Sequence, residues 1–103
     1  MNREQIEAHA TGVANTKDGL SAKKLLDEIT PCDREAVLIE AVRIANERMQ
    51  KDPFSNGRYA IQVTEQGDQR VSTLNAVRPT FLGLGADQIL PVLSITAPKE
   101  CKN

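Results

Sequence analysis

From Asp33 to Gln50 the chain carries neither glycine nor proline, and the residues just before that run start it with several signals at once. Thr30 is a preferred N-cap, Pro31 suits the first helical position, and Asp33 stands three residues after the cap. The spacing predicts a long helix over about 31–51. Val37, Leu38, Ala41, Val42 and Ala45, with Ile44 and Met49 at the flanks, make an apolar face roughly 160° wide. A contact between two helices needs a narrower stripe. The breadth predicts a helix that crosses a sheet while touching a second helix. Ile39 points instead toward the polar side shared by Glu35, Glu40, Arg43 and Glu47, which makes it a candidate contact for a protein partner.

Upstream, Asn2 followed by Gln5 has the form of a capping box, and Ile6, Ala10 and Val13 recur at helical spacing. A short first helix is expected, ended by Gly12. A second is expected over Ala22 to Ile29, with Ser21 as cap, Leu20 closing over Leu25, and Leu25, Leu26 and Ile29 inward. Its end charges, Lys23 and Lys24 early and Asp27 and Glu28 late, oppose the helix dipole. Packing on the long helix must hold it.

Downstream, Lys51-Asp52-Pro53 stops the helix and Phe54-Ser55-Asn56-Gly57 reads as a turn. Two alternating segments within 58–77 then flank Gly67-Asp68, a glycine-first pair suited to a two-residue hairpin. That turn sets Gln66 opposite Gln69, Glu65 opposite Arg70, Val63 opposite Ser72, Ile61 opposite Leu74 and Tyr59 opposite Ala76. Glu65 and Arg70 form a favourable cross-strand match. The apolar side covers the long helix. Gln62, Thr64, Thr73 and Asn75 share the other side. A further strand is expected near 91–97, with Leu93, Ile95 and Ala97 on one face and Pro91 at a strand start or edge. Residues 78–90 carry no decisive pattern, although Ala86 to Leu90 has the length of one helical turn. Pro98 to Asn103 reads as a frayed tail. The fold class is α+β, in a single domain over 1–103 of two or three helices packed on a small antiparallel sheet.

Several function classes are disfavoured. The chain has 103 residues, a net charge of −1 and three aromatic residues, Phe54, Tyr59 and Phe81. That is neither the basic footprint nor the stacking surface of a nucleic-acid-binding domain. No apolar run approaches the roughly 20 residues of a membrane span. The opening residues are polar and include an acid, unlike a signal or transit peptide, so a cytoplasmic location is expected. Cys32 and Cys101 fit no metal or redox spacing, and no cofactor motif is present. Gly83-Leu84-Gly85 is half of a dinucleotide fingerprint, with Gln88 where its third glycine belongs.

Few residues point to chemistry. Cys32 in the first turn of the long helix sits where a thiolate is favoured. Nucleophilic catalysis also needs a base and an oxyanion site, and the sole histidine, His9, lies in another segment. Cys32 therefore reads as a small residue at a helix corner or an oxidation-sensitive thiol, and the chain as no enzyme. Arg43, Arg48, Lys51 and Arg58 gather near the helix end, where cations suit the dipole. Together with the 21–50 helix pair they are the basis of an alternative reading, a nucleic-acid-binding regulator. The leading expectation is a small non-enzymatic accessory or inhibitor protein that binds another protein, with a homodimer as one form of that binding. Its candidate contacts are Ile39 and the polar sheet face of Gln62, Thr64, Thr73 and Asn75, or an unpaired sheet edge.

Overall fold

A computed structural model describes residues 1–53, 57–79 and 85–101. Helices α1 (Arg3–Ala14), α2 (Gly19–Asp27) and α3 (Pro31–Lys51) precede strands β1 (Arg58–Gln66), β2 (Gln69–Arg78) and β3 (Gln88–Pro98). The strands form one antiparallel sheet in the order β1-β2-β3. This is the expected α+β architecture of helices on a small sheet. The turn expected at Phe54–Asn56 and the stretch Thr80–Leu84 lie outside the described residues, as do Lys102 and Asn103.

The first helix is capped as its sequence predicts. Asn2 Oδ1 accepts from the Gln5 N–H at 2.8 Å, and Gln5 Oε1 accepts from the Asn2 N–H at 3.0 Å. Gly12 does not end it. A side chain there would meet nothing within 4 Å, so the position only lowers helix propensity and the helix runs on to Ala14. The second helix starts earlier than expected. Asp18, not Ser21, is its cap, with a carboxylate oxygen 2.7 Å from the Ser21 N–H. That bond, with help from the Ser21 hydroxyl, holds the Asp18 carboxyl below the usual range. The spacing 22, 26, 29 then faces inward, and Ala22, Leu26 and Ile29 are buried. Leu20 and Leu25 are 67% and 38% exposed, so the expected staple between them does not form and Leu25 is not in the core. Gly19 is required by packing. A Cβ there would lie 2.9 Å from the Val92 carbonyl oxygen, so its absence lets α2 close against β3.

Thr30 and Pro31 stand at the start of α3 as expected, but the Thr30 side chain makes no cap bond. Its carbonyl accepts from the Asp33 N–H at 2.8 Å instead. Val37, Leu38 and Ala41 are buried against Ala10, Val13 and Leu26 on one side and Leu74, Leu93 and Ile95 on the other. The broad apolar face thus serves helix and sheet together.

The hairpin register is the one its turn dictates, from Gln66 opposite Gln69 to Tyr59 opposite Ala76. Gly67 has φ +60°, the left-handed region that glycine tolerates. Glu65 and Arg70 face each other in register, yet each finds its ion pair elsewhere. Arg70 reaches Glu35 on α3 at 3.0 Å, and Glu65 meets Lys99 at 3.2 Å. The third strand is longer than predicted. It begins at Gln88, so Ala86 to Leu90 is no helical turn. Leu74 pairs with Leu93 and Asn75 with Pro91, leaving Val92 as the extra residue of a bulge.

The cysteines overturn two readings. Cys32 and Cys101 form a disulfide across 69 positions of sequence, so Cys32 is not a free thiol. Chain spacing did not reveal this, because proximity comes from β3 returning its end to the start of α3. The segment read as a frayed tail is tied down as far as Cys101. The Lys99 N–H donates to the Asp68 carbonyl at 2.8 Å, and the disulfide follows two residues later.

Candidate functional site

The described residues hold no cluster of His, Cys, Asp and Glu suited to a metal. A half-open cavity of about 280 Å³ lies between the α1–α2 link, α3 and the sheet, lined by aliphatic side chains such as Val13, Leu38, Val42 and Leu93. It falls below the roughly 300–1,000 Å³ of ordinary ligand pockets. Asp18, at its rim, is committed to capping α2. No convergent polar set is built there.

The basic candidates are largely committed to the protein itself. Arg43 is clamped between Glu40 and Glu47, its Nη1 being 2.6 Å from the Glu47 carboxylate. The Glu40 and Glu47 carboxylates raise the Arg43 pKa, and Arg43 holds Glu40 below its usual value. Arg48 donates to Asn15 Oδ1 at 2.7 Å, and Arg58 lies 4.0 Å from the Asp87 carboxylate. Only Lys51 of the set lacks a partner among the described residues. Nor are the polar sheet residues a uniform open face. Gln62 and Thr64 are exposed, Thr73 shares a 3.0 Å hydrogen bond with the Ser94 hydroxyl, and Asn75 is 8% exposed. Ile39 is exposed as expected but stands alone on α3.

The sheet edges are more informative. In an antiparallel ladder, alternate residues turn both backbone groups toward one neighbour and the rest turn them away. The tight hairpin makes Gln66 and Gln69 a hydrogen-bonded pair, so along β1 the groups of Tyr59, Ile61, Val63 and Glu65 point outward. Side-chain bonds agree with this phase. The Tyr59 N–H donates to Asn46 Oδ1 at 2.8 Å, and Asn46 Nδ2 donates to the Tyr59 carbonyl at 3.0 Å. Asn46 therefore stands in for a neighbouring strand at one residue.

The same phase, carried across β2, turns Ile89, Pro91, Ser94, Thr96 and Pro98 outward on β3. From Pro91 to Pro98 this edge is obstructed. Lys23 Nζ donates to the Ser94 carbonyl at 3.0 Å, and Arg34 Nη1 donates to the Thr96 carbonyl at 3.2 Å. Pro91 and Pro98 have no N–H to offer a further strand. On β1, by contrast, the outward groups of Ile61, Val63 and Glu65 have no partner among the described residues. The Val63 side chain is 38% exposed on the helix-facing side. The path of α3 explains why. It passes under β2 at Glu35–Arg70 and reaches the β1 edge only at Asn46–Tyr59, leaving the hairpin end of β1 uncovered.

No family model matches this chain, and no curated protein or solved structure matches it. Sequence reasoning missed Lys23, Arg34 and Asn46. Two of them left a signal: an arginine in the first turn of α3, where the dipole disfavours it, and an asparagine within an aliphatic helical stripe, where its propensity is poor. Lys23, in the middle of α2, left none. Asn46→Ala is expected to lower stability by about 1–2 kcal/mol. The check is chemical denaturation, with faster hydrogen exchange at the Tyr59 amide. Unchanged exchange there would show that Asn46 does not seal the edge.

Proposed function

We propose that this is a non-enzymatic accessory or inhibitor protein that acts by binding another protein chain. The observation that carries the reading is the open stretch of β1. Lys23, Arg34 and two prolines obstruct the β3 edge from Pro91 to Pro98 and Asn46 ends the other edge, yet Ile61, Val63 and Glu65 have no backbone partner on their outer side among the described residues. Such a stretch recognises an extended segment through main-chain hydrogen bonds, with side-chain pockets adding selectivity. The nucleic-acid alternative draws less support, because Arg43, Arg48 and Arg58 already face acceptors of this chain.

The cytoplasm, the expected location, is reducing. The Cys32–Cys101 disulfide favours instead a compartment oxidising enough to maintain it. Affinity capture with the full, oxidised chain tests the binding reading. A host protein retained by the wild type is expected to be lost with Val63→Lys, which places a charge on the open edge. Retention of nucleic acid alone, with binding that weakens steeply as salt is added, would count for the alternative.

A further inference from the structure

We infer that the open stretch of β1 pairs antiparallel with the same stretch of a second copy of this chain, joining two three-stranded sheets into one. The inference rests on the protein-binding reading and names the partner. An isologous contact uses one patch twice, so a single two-fold pairing covers the exposed backbone of Ile61 and Val63 in both copies. A foreign strand would cover only one.

The register follows from the residues. Outward-facing residues must meet outward-facing ones, which restricts the choices to those that match Ile61, Val63 or Glu65 with one another or with Tyr59. Setting Glu65 against Glu65 brings like charges together, and setting it against Ile61 places a carboxylate opposite an apolar side chain. Setting it against Val63 does the same, and setting Ile61 against Ile61 would place Val63 opposite Tyr59, whose backbone Asn46 holds. Setting Ile61 of one copy against Val63 of the other avoids all of these. It makes two apolar cross-strand pairs related by the two-fold axis, each exchanging two backbone hydrogen bonds. Val63, left half-exposed because α3 has crossed away, then gains a neighbour on the helix-facing side. Pairing stops at Tyr59, whose backbone Asn46 already holds. The segment between the termini of this match, Ala60 to Thr64, carries no charge, so no gatekeeping residue repels the second strand.

So short a ladder buries less than the roughly 1,200 Å² of a standard stable interface. The dimer is therefore weak and concentration-dependent. In this register Gln62 of one copy faces Gln62 of the other across the axis in a non-hydrogen-bonded pair, with Cα atoms about 4.5 Å apart, within reach of a disulfide. Thr64 faces Ala60 instead.

Sedimentation of the full oxidised chain up to roughly millimolar concentration is expected to show a reversible monomer–dimer equilibrium. Val63→Lys is expected to raise its dissociation constant at least about tenfold. Under oxidising conditions Gln62→Cys is expected to give a covalent dimer, and Thr64→Cys at least about tenfold less. If Val63→Lys does not fold by circular dichroism, the two cysteine variants decide alone. A wild type that stays monomeric throughout, or Thr64→Cys cross-linking as readily as Gln62→Cys, would overturn the inference. A monomer whose capture of a host protein is still lost on Val63→Lys leaves the protein-binding reading standing with a foreign partner. A monomer with no Val63-sensitive partner removes both.

Discussion

Reduction of the Cys32–Cys101 disulfide is expected to lower the free energy of unfolding by about 4 kcal/mol. The bridge spans 69 positions, and closing a loop of that length removes roughly this much entropy from the unfolded chain. For a domain of this size, total stability is on the order of 5–15 kcal/mol, so the bridge is a major part of it. In a thermal melt the loss corresponds to a drop of roughly 15–30 °C. The bridge also acts locally. It anchors the segment after Pro98 to the first turn of α3, while Lys99 in that segment meets the Asp68 carbonyl and the Glu65 carboxylate at the β1–β2 hairpin. The Cys32→Ala, Cys101→Ala double variant is expected to melt at the temperature of the reduced wild type and to be indifferent to reductant. If reductant moves the wild-type midpoint by only a degree or two, the bridge does not restrain the chain.

The fold was legible wherever a local rule carried the information. The capping box at Asn2 and Gln5, the proline start of α3 and the glycine-first turn at Gly67 each depend on residues a few positions apart. The hairpin register followed from that turn alone. Failures came where two local rules competed or where contact was remote. Asp18 and Ser21 are both good caps, and the choice fell to the one that lets Gly19 approach Val92 across the molecule. Cys32 and Cys101 meet only after the sheet has formed. Of the site, the sequence shows that an unpaired edge must exist, because so few strands cannot close on themselves. Which edge stays open depends on Lys23, Arg34 and Asn46 reaching backbone groups far along the chain. No spacing rule encodes those reaches.

Arg34→Ala is expected to lower stability by about 3 kcal/mol, the largest loss among the polar contacts described. The guanidinium gathers the end of α2 and the edge of β3 into one knot. Its Nε donates to the Leu26 and Ile29 carbonyls, both at 3.0 Å, its Nη2 to the Asp27 carbonyl at 2.9 Å, and its Nη1 to the Thr96 carbonyl at 3.2 Å. The Leu26 carbonyl also accepts from the Ile29 N–H at 3.1 Å, and a cation at the end of α2 suits the negative end of the helix dipole. This offsets the unfavourable place Arg34 occupies at the start of α3. Hydrogen bonds to a charged group contribute about 1.5–3 kcal/mol each in isolation, but these share one side chain and water replaces part of what is lost at the exposed ones. Arg34→Lys is expected to recover less than half, since a point charge cannot reach acceptors fanned around a planar fork. The readout that separates this role from bulk packing is hydrogen exchange. In Arg34→Ala, protection should fall first in the last turn of α2 and at the end of β3 near Thr96, with the β1–β2 hairpin retained. A uniform loss across the sheet would mean that Arg34 supports the core as a whole and does not join these two ends. Opening the β3 edge at Thr96 should also raise the tendency to self-associate, through a strand that the native chain keeps closed.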